Sequence, residues 1–591
     1  MLLDPEVGAD PRGLRIHGAV VVGGLELNGA AVRCALSVTC SHFVEVPDFG
    51  AATLPALSLS GSAVPGLRAD GIRLGAGGFK ADQLSAEGVV RAVDALISGS
   101  LRLQNAELKA ASGPSLSLDR ARIDGELDAE ALHTFGRFHA LGAVVGGQVN
   151  VREAVLNGVG AAALSLDRAR IGGGLIATGL KSSGAVRARG AVIAGQVNVC
   201  EAQLQGDGDA ALSLGRTRIE GGVFAQRLET AGEVRAIGLV VAGQLNLREA
   251  VLDGAGGPAL NLDRARVDGN LIAEGVRATG EIRARGAALP GVLNMDRAVL
   301  DGRGGIALTL DRARSGGGIS AREMTSSGGV RAVGAVVAGR LDLEDAVLNA
   351  AEMAALNLRQ AEIGELSIPG LGERWAGEME FDHATVAVLD SGAERPEHPA
   401  VLKASGWTLG QVTVHLKADS TSFGEWLAVG ADFESQPWAE VASFYHRVGQ
   451  PGHARRMLIE MERRATGRLT PTRRWLRRIL YGGTVGYGYR PMLALIWLAV
   501  IAAVAGVLTW WAPRGAFVNA DDGSASDAAV GPTPWVVAME AALPAVDPVV
   551  DNPWEPIQLW MQVMFTALGA AGWLLGIFFV AGVTGILRKT N

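Results

Sequence analysis

The chain has 591 residues, of which 48% are hydrophobic, and a formal net charge of −7. So small a charge over this length excludes a strongly basic or acidic protein, and the length allows several domains. The three cysteines, Cys34, Cys40 and Cys200, form no C-x-x-C pair, so a zinc finger or a disulfide framework is excluded as the basis of the fold. All 12 tryptophans lie from Trp375 onward, which divides the chain into two parts of different composition.

Residues 1–13, MLLDPEVGADPRG, are mostly polar and contain no basic patch followed by an apolar core. This pattern is not that of a secretory signal peptide. The open end of a repeat array exposes strand edges that need to be covered. We therefore expect residues 1–13 to form an N-terminal cap.

A block of 48 residues then repeats without insertion or deletion. The line LSLDRARI begins at Leu116 and returns in variant forms at Leu164, Leu212, Leu260, Leu308 and Leu356. The line VNVREAVL begins at Val149 and returns at Val197, Leu245, Leu293 and Leu341. Within a block, alternating small and large apolar residues have the period of half-buried strands: Leu164, Leu166, Ala169, Ile171, Leu175 and Ala177. Short strands interrupted by glycine, at a fixed period, predict a stack of coils.

Each block divides into two coils. The segment from Phe138 aligns with the segment from Leu116 at an offset of 22 residues, which leaves 26 for the other coil. The predicted fold is mainly β, a right-handed parallel β-solenoid over residues 14–370, because parallel crossovers are nearly always right-handed. Coils from Leu14 to Leu416 number roughly 17 and give a rod about 80 Å long at the spacing of parallel strands.

The sequence G-x-G-x-x-A, which resembles part of a dinucleotide-binding loop, occurs once per block, at Gly158, Gly206, Gly254 and Gly302. A dinucleotide fingerprint occurs once, between a strand and a helix. Four copies at the repeat period are therefore predicted to be corners of the solenoid. No cofactor and no metal site is predicted from the sequence.

Arginines recur at the repeat period and form columns, which makes them candidate residues of an interaction surface. The first column is Arg120, Arg168, Arg216, Arg264 and Arg312; the second is Arg122, Arg170, Arg218, Arg266 and Arg314; the third is Arg187, Arg235, Arg283 and Arg331. Stacked charges of one sign attract an acidic partner. Aspartates stand beside the first column, at Asp119, Asp167, Asp263 and Asp311, so the sequence favours a solvated face in which neighbouring charges neutralise each other.

The pattern decays over residues 371–432, which we interpret as terminal coils and an irregular cap, with ATVAVLD and GQVTVHLK as the last coils on either side of a loop at 392–399. Residues 433–490 then change to a helical period. Trp438, Val441, Ala442, Tyr445 and Val448 form one stripe, and Ala454, Met457, Leu458 and Met461 form a second, which predicts a helical hairpin followed by a basic linker. His446 and His453 are close in sequence but lack the spacing of a metal motif.

Two apolar runs are long enough to span a bilayer: residues 491–511 and 558–587. Residues 512–557 form an acidic loop between them, within which the segment from Trp535 is moderately apolar and is predicted to lie on the membrane surface. Small residues at Ala502/Gly506 and Gly572/Gly576 allow close helix packing. The residues predicted to anchor the chain at the membrane are Arg473, Arg474, Arg477, Arg478, Trp510, Trp511, Trp560, Arg588 and Lys589.

Basic residues flank both spans, and the loop between them holds one basic residue, Arg514, among many acidic ones. The positive-inside rule then places the solenoid and the C-terminal tail, residues 588–591, in the cytoplasm. The sequence TVGYG at Thr484–Gly488 matches a potassium filter but precedes the first span, where a filter is not found. It is interpreted as a turn that leads to the membrane, with Tyr487 and Tyr489 at the interface.

The order of these segments resembles the pentapeptide-repeat-like membrane proteins of actinobacteria. The resemblance rests on the lines GGQVNVREAVL and LSLDRARI, on SFYHRVGQPGHARRMLIEMERR, on TVGYGYRP before the first span and on AGWLLGIFFVAGVTGILRK at the end. It implies a bacterial plasma membrane and a β-solenoid with two coils per repeat. Relatives often carry the label "membrane-associated oxidoreductase", but the resemblance supplies no catalytic residue for this chain.

Three functions are compatible with the sequence. The first is a membrane-anchored cytoplasmic scaffold that contacts membrane lipid and binds a protein partner or another copy of itself. Nucleic acid is not favoured as a partner, because the aspartates beside the arginine columns can pair with them. The second is a component of an oligomeric pore, formed by two spans without internal charges. The third is the oxidoreductase of the family label, for which we find no catalytic or cofactor motif in the sequence.

Overall fold

A computed structural model of the chain describes residues 12–158, 160, 162–206, 208, 210–368, 375–390, 401–413, 420–428, 433–521, 523–526, 531–543 and 552–584. Most of the predicted cap at 1–13, the loop at 392–399 and the anchoring residues Arg588 and Lys589 lie outside these residues. The described chain divides into two compact units, and the boundary between them along the sequence falls within residues 418–432. The first unit is the solenoid and the second is helical.

The first unit is a parallel β-solenoid, as the repeat predicts, and it has about 16 turns where the sequence predicts roughly 17. Its register alternates between coils of two lengths. Gln203 lies opposite Glu229, at an offset of 26 residues, and Asp128 lies opposite Asn150, at an offset of 22 residues. The prediction of two coils per block, one of each length, is therefore confirmed. Neither length is a multiple of five, so the coils are not built from a whole number of five-residue repeats.

Each coil has four short sides, which we call faces 1 to 4. In one coil they are Arg170–Ile171, Leu175–Ile176, Lys181–Ser183 and Val186–Arg187. Equivalent strands of successive coils pair in parallel, so that faces 1 and 2 form a 30-stranded sheet and faces 3 and 4 a 25-stranded sheet.

The strands of the 30-stranded sheet are mostly two residues long and merge across faces 1 and 2 near its end. Face 1 consists of Thr53–Leu54, Arg73–Leu74, Leu96–Ile97, Arg122–Ile123, Val144–Val145, Arg170–Ile171, Val192–Ile193, Arg218–Ile219, Val240–Val241, Arg266–Val267, Ala288–Leu289 and Arg314–Ser315. Face 2 consists of Leu14–His17, Leu36–Thr39, Leu57–Ser58, Phe79–Lys80, Leu101–Arg102, Leu127–Asp128, Val149–Asn150, Leu175–Ile176, Val197–Asn198, Val223–Phe224, Leu245–Asn246, Leu271–Ile272, Leu293–Asn294 and Ile319–Ser320. The merged strands are Val336–Asp342, Glu362–Ser367, Thr385–Asp390 and Thr408–Val412.

The 25-stranded sheet follows the same plan. Face 3 consists of Val20–Val21, His42–Phe43, Ala63–Val64, Ser85–Ala86, Val155–Asn157, Lys181–Ser183, Gln203–Gln205, Glu229–Ala231, Val251–Asp253 and Arg277–Thr279. Face 4 consists of Leu67–Arg68, Val90–Arg91, Leu164–Ser165, Val186–Arg187, Leu212–Ser213, Val234–Arg235, Leu260–Asn261, Ile282–Arg283 and Val401–Lys403. The strands merged across both faces are Glu107–Ser117, His133–His139, Val299–Thr309, Thr325–Arg331, Val347–Asn357 and Trp375–Glu380.

The interior of the solenoid is filled by the alternating apolar residues of the repeat. Leu166, Ile171 and Leu175 are at most 3% exposed, and their equivalents in other coils are buried in the same way. Each inward side chain stacks on its equivalent in the next coil, because the parallel register keeps equivalent residues opposite each other. The free energy gained by burying these apolar side chains is distributed over all the coils, so no single coil supplies most of it.

The four residues that lengthen every second coil all lie at the corner between faces 3 and 4. Face 3 ends at Asn157 and face 4 begins at Leu164, whereas in the next coil Ser183 is followed closely by Val186. Gly158, Gly206, Gly254 and Gly302 begin these longer connections, so the prediction that they form corners is confirmed. At Gly254 an added Cβ atom would lie 2.2 Å from the carbonyl oxygen of Gly257, so the tight bend requires glycine there.

Aromatic residues close the C-terminal end of the solenoid. Trp407 directly precedes the last strand of the solenoid, Thr408–Val412, stacks against Phe381 with ring centroids 6.4 Å apart, and lies 6.0 Å from Trp426. Trp407 and Trp426 are fully buried. Because an open solenoid end exposes apolar interior, we interpret this stack as the C-terminal cap of the core.

The described helices are α1 (Ser420–Leu427), α2 (Ser435–Arg447), α3 (Pro451–Gly467), α4 (Pro471–Arg477), α5 (Met492–Trp511), α6 (Pro534–Ala542) and α7 (Leu559–Val583), with a π-helical turn at Arg478–Gly483 and a 3-10 turn at Gly486–Gly488. Helices α2 and α3 form the predicted hairpin. Trp438, Val441, Ala442 and Tyr445 are buried in it, as are Ala454 and Met457. Val448, Leu458 and Met461 are more exposed than the stripes predict, and Ile459 is buried instead.

Helices α5 and α7 have the length and composition to cross a membrane. The short α6 packs between them around a cluster of Leu498, Ile501, Ala505, Ala541 and Leu575. A two-stranded antiparallel sheet, Phe517–Asn519 with Trp554–Pro556, lies in the connection between α5 and α7. The segment from Trp535 forms a helix that packs against both apolar helices, and its position at the membrane surface stays a prediction.

Candidate functional site

The first arginine column occupies one corner of every second coil, between faces 4 and 1, which we call the Arg corner. Leu166–Ala169 form a four-residue turn there, in which the N–H of Ala169 donates to the carbonyl of Leu166 at 3.0 Å. Arg168 is the third residue of this turn and has φ of +59°. The other members have the same left-handed backbone: Arg120 (+57°), Arg216 (+56°), Arg264 (+57°) and Arg312 (+54°). The turn therefore points these side chains outward at the edge of the coil.

Glycine occupies the same turn position in the intervening coils, at Gly142, Gly190, Gly238, Gly286 and Gly334, all with positive φ. A Cβ atom added at Gly238 would lie 3.7 Å from Cγ of Arg216, and one added at Gly334 would lie 3.7 Å from Cγ of Arg312. The stems of Arg216, Arg264 and Arg312 thus lie over the glycine of the next coil. This packing leaves the guanidinium groups about 9–10 Å apart along the column, twice the spacing of adjacent strands.

The aspartates beside this column do not neutralise it. The carboxylate of Asp167 accepts a hydrogen bond from the backbone N–H of Arg189 at 2.8 Å and forms an ion pair with its guanidinium at 2.6 Å. Asp263 bonds Arg285 in the same way. Asp119 and Asp311 accept from the backbone N–H groups of Leu141 and Val333. The aspartate of each block therefore bridges to the following coil, and the pairing of neighbours that the sequence favours does not occur at this corner.

Only one member of the first column has an acidic partner among the described residues. Arg120 forms a bidentate pair with Asp94, with both distances 2.7 Å, because aspartate stands where later coils have glycine. This contact lowers the pKa of Asp94 and raises the pKa of Arg120. Arg168, Arg216, Arg264 and Arg312 are exposed and form no ion pair within the described chain.

The other two columns are largely neutralised. In the second, Arg122 pairs with Asp124 at 2.9 Å and Arg266 with Asp268 at 2.7 Å, and Arg218 lies 3.9 Å from Glu220. Arg170 and Arg314 of that column have no ion pair among the described residues. In the third column, Arg235 pairs with Glu233, Arg283 with Glu281 and Arg331 with Asp311, at 2.6 to 2.9 Å, and Arg187 also has an interaction partner.

A second edge, which the sequence analysis missed, carries glutamates in the same geometry. It lies between faces 2 and 3, and we call it the Glu corner. Glu153, Glu201 and Glu249 occupy its turns with φ of +54°, +58° and +57°. Glu153 and Glu249 lie over the next coil's Gly179 and Gly275. Both are exposed and hold no ion pair within the described chain, whereas Glu201 pairs with Arg227.

The two corners lie diagonally across the coil. A coil runs through face 1, face 2, the Glu corner, face 3, face 4 and the Arg corner, so one corner separates the Glu and Arg corners in either direction. Glu153 and Arg168 belong to the same coil, as do Glu201 with Arg216 and Glu249 with Arg264. The coils of Glu153 with Arg168 and of Glu249 with Arg264 therefore present an unpaired anion at one edge and an unpaired cation at the opposite edge. In the coil between them Glu201 is paired with Arg227, which occupies the turn of the same corner in the next coil.

The predicted anchoring residues within the described chain fall into two groups. Trp510 and Trp511 end α5 and Trp560 begins α7, and their side chains are 77%, 83% and 54% exposed. These helix ends lie together, because Ala512, Phe517 and Met561 share one apolar cluster. Arg473, Arg474 and Arg478 are exposed around α4, whereas Arg477 pairs with Glu462 at 2.6 Å.

The TVGYG segment forms a compact turn. Val485, Gly486, Tyr487 and Gly488 are buried, and Tyr487 packs against Gly482 with φ of +56°. The prediction of a turn is confirmed, but Tyr487 is packed inside it and does not reach outward. His453 lies 3.0 Å from the hydroxyl of Ser420 and stacks on Tyr445. Within the described ranges, no three His, Cys, Asp or Glu side chains group as metal ligands would.

Comparison of the chain with protein-family models, with curated proteins and with solved structures finds no match. The functional argument therefore rests on the two charged corners and on the apolar helices.

Proposed function

We propose that this chain is a membrane-anchored scaffold whose solenoids associate side by side, the Arg corner of one copy against the Glu corner of the next. The single observation that carries the proposal is the match between the two corners. Arginines at 168, 216 and 264 stand level with glutamates at 153, 201 and 249, and both rows repeat every 48 residues. The acidic partner that the arginine columns predict is, in this proposal, another copy of the same chain.

Membrane anchoring is supported by the surfaces of α5 and α7. In the core helix of a soluble protein the apolar side chains are mostly buried, but only 28% of the apolar window of α5 and 11% of that of α7 are buried. Large apolar side chains such as Trp497, Val507, Trp573 and Val580 are exposed along both helices. Lipid is the environment in which such surfaces are stable. The charge distribution around the spans supports a cytoplasmic solenoid, and the resemblance to actinobacterial proteins implies a bacterial plasma membrane.

Anchoring also favours the proposed association. Copies inserted in one membrane share one topology, so all their solenoids lie on the same side of the bilayer. An exposed ion pair contributes only about 0.2–1 kcal/mol, and Glu201 must first leave Arg227, so such pairs alone hold two soluble copies weakly. Confinement to a membrane raises the effective concentration and makes several weak contacts sufficient. Because the contact is head-to-tail between different edges, it generates open rows or closed rings.

Charge reversal tests this association. Changing Arg168, Arg216 and Arg264 to Glu is expected to abolish crosslinking between copies in native membranes, and so is changing Glu153, Glu201 and Glu249 to Arg. Mixing the two variants is expected to restore crosslinked dimers, because the first has two acidic corners and the second has two basic ones. Crosslinking that persists in either variant alone contradicts the proposal.

A matched control carries the same change in net charge elsewhere on the solenoid. Arg170, Arg277 and Arg314 are exposed and hold no ion pair within the described chain, and none of them lies at the Arg corner. Changing these three to Glu is expected to leave the crosslinks intact. If this variant also loses them, the association depends on overall charge and the corners have no special role.

Disulfide crosslinking tests directly whether the Arg corner of one copy contacts the Glu corner of another. With Cys34, Cys40 and Cys200 replaced by serine, the double variant Glu201→Cys/Arg216→Cys is expected to form ladders of covalent oligomers in oxidised membranes. The two positions lie at opposite edges of one solenoid, so a disulfide between them joins two copies. A protein that stays monomeric under these conditions contradicts the side-by-side arrangement.

The resemblance to actinobacterial membrane proteins implies an oxidoreductase. An absorbance spectrum distinguishes this function from that of a scaffold. A scaffold purified from native membranes is expected to be colourless above 300 nm. A bound flavin or haem spectrum would contradict the scaffold and support redox chemistry.

A further inference from the structure

The short helix α6 is held between the two apolar helices by small residues. An added Cβ at Gly506 of α5 would lie 3.6 Å from Cβ of Ala538 and from the carbonyl oxygen of Pro534. An added Cβ at Gly572 of α7 would lie 2.4 Å from the carbonyl oxygen of Ala541. The backbone of α6 therefore touches both neighbours where they lack side chains, as small residues allow at membrane helix interfaces.

These contacts fix how far α6 reaches along its neighbours. Gly506 lies five residues before the end of α5, whereas Gly572 is the fourteenth of the 25 residues of α7. At 1.5 Å per residue, Gly572 lies about 20 Å from the first residue of α7. Ala541 also shares a cluster with Ile501, the tenth of the 20 residues of α5. Helix α6 thus begins near the Trp-rich ends of α5 and α7 and ends beside the middle of both.

Polar groups lie at the C-terminal end of α6. Glu540, one residue before Ala541, is half-buried, and its carboxylate accepts a hydrogen bond from the side-chain amide of Asn552 at 2.7 Å. The last carbonyl groups of a helix lack intrahelical partners and carry a partial negative charge. A carboxylate and free carbonyl groups at the centre of a bilayer are stable only where they face protein or water.

We propose that α6 is a re-entrant helix, and that water from the side of the acidic loop reaches Glu540 near the middle of the membrane and admits cations there. This inference rests on the membrane anchoring of the proposed function. The cation preference follows from chemistry, because a carboxylate and the C-terminal end of a helix both favour positive charge. The path ends at Glu540 within one copy, so it is a half-channel open to one side.

Thiol labelling in sealed membranes tests the water path. In a background with the three native cysteines replaced by serine, Asn552→Cys is expected to react with membrane-impermeant methanethiosulfonate reagents added from the side of residues 512–557. Trp573→Cys is the control, because Trp573 adjoins Gly572, which contacts α6 at Ala541, and its side chain is exposed on the surface of α7. In lipid a thiol does not ionise, and the thiolate is the reactive form, so this control is expected to stay unlabelled.

The outcomes separate this inference from the anchoring. Labelling of Asn552→Cys without labelling of Trp573→Cys supports the half-channel. If neither is labelled and the protein still resists extraction by alkaline carbonate, anchoring stands and the water path is overturned. If carbonate extracts the protein, or Trp573→Cys is labelled as fast as Asn552→Cys, the membrane assignment itself has failed.

The charge preference is tested with the same thiol. A cationic reagent is expected to modify Asn552→Cys faster than an anionic reagent of similar size, and adding Glu540→Gln is expected to lower the ratio of the two rates about tenfold. A ratio that Glu540→Gln leaves unchanged overturns the role of this carboxylate. Thermal unfolding of the purified variants in detergent, expected to match that of the parent protein, shows that rates are compared between folded proteins.

Discussion

The carboxylate of Asp263 accepts a hydrogen bond from the backbone N–H of Arg285 at 2.9 Å and pairs with its guanidinium at 3.0 Å, although Arg264 is its neighbour in sequence. Asp263 pairs with Arg285 and not with Arg264 because the shorter coil places Arg285 directly above Asp263 in the stack. An aspartate that bridges successive coils stabilises the stack. The adjacent arginine contributes no such bond, which leaves it available for contacts with another molecule.

The first prediction separates these two roles. Asp263→Ala removes a charge-assisted hydrogen bond to a backbone amide, a contact of about 1.5–3 kcal/mol, so amide exchange at Arg285 is expected to accelerate by one to two orders of magnitude. Arg264→Ala is expected to leave that exchange unchanged. Hydrogen exchange followed by mass spectrometry of the peptide that contains Arg285 provides the measurement. Equal acceleration in both variants would mean that Arg264 also supports the stack.

The second prediction concerns the left-handed backbone of Arg264. A β-branched residue is strained at φ of +57°, so Arg264→Val is expected to lower the free energy of unfolding by about 1–2 kcal/mol. Arg264→Asn is expected to cost little, because asparagine tolerates this conformation. The thermal midpoints of the two full-length variants in detergent give the comparison. If valine and asparagine are equally tolerated, the turn relaxes to another conformation and the arginine row is less fixed than its geometry implies.

The architecture of the solenoid is readable from the sequence because its core depends on local alternation repeated many times. Leu166 and Ile171 are buried wherever their equivalents recur, and the offset between Phe138 and Leu116 gives the shorter coil directly. The corner at Gly158 is also predictable, since a motif repeated in every block cannot be a unique binding loop.

The charged corners were harder to predict, because they depend on which coil stacks on which. The two rows require the left-handed turn at Arg168 and Glu153, and the sequence shows this turn only through the glycines that alternate with them, such as Gly190. The pairing of Asp167 with Arg189 follows from the stacking of one coil on the next and not from adjacency in sequence. The depth of α6 was not predictable, since its apolar residues suit either a membrane surface or a helix interface.

The third prediction is a dependence of stability on pH. Burial lowers the pKa of His139 below its ordinary value of 6.5, and Arg137 acts in the same direction, while Asp119 opposes it. The unfolded chain therefore binds a proton at His139 more readily than the folded chain does. Stability from this group is expected to be present above pH 6.5 and to be lost as the pH falls from there through the lower folded pKa.

His139→Gln isolates that contribution among the nine histidines of the chain. The difference in thermal midpoint between the variant and the parent is expected to be constant above pH 7 and to shift in favour of the variant between pH 6.5 and 5. Unfolding curves of the full-length protein in detergent at several pH values supply the measurement. A difference that does not vary with pH would show that His139 titrates normally in the folded protein.

The fourth prediction tests the packing of α6 with two glycines of the same helix. Gly572→Ala places a methyl group 2.4 Å from the carbonyl oxygen of Ala541, so α6 must shift or detach, whereas around Gly576 no described atom lies within 4 Å of an added Cβ. Gly572→Ala is expected to lower the thermal midpoint in detergent by several degrees, and to increase protease cleavage between α5 and α7. Gly576→Ala is expected to leave both unchanged or to raise the midpoint slightly, since alanine is the better helix former.

The comparison between these two variants is informative because the chemical change is identical. Overpacking a tight contact costs about 1–3 kcal/mol, while the gain in helix propensity from glycine to alanine is at most about 1 kcal/mol, so the two variants are expected to move in opposite directions. If both variants behave alike, α6 is not held against Gly572. In that case Glu540 is not carried to the middle of the membrane, and the half-channel loses its structural basis while the anchoring by α5 and α7 is unaffected.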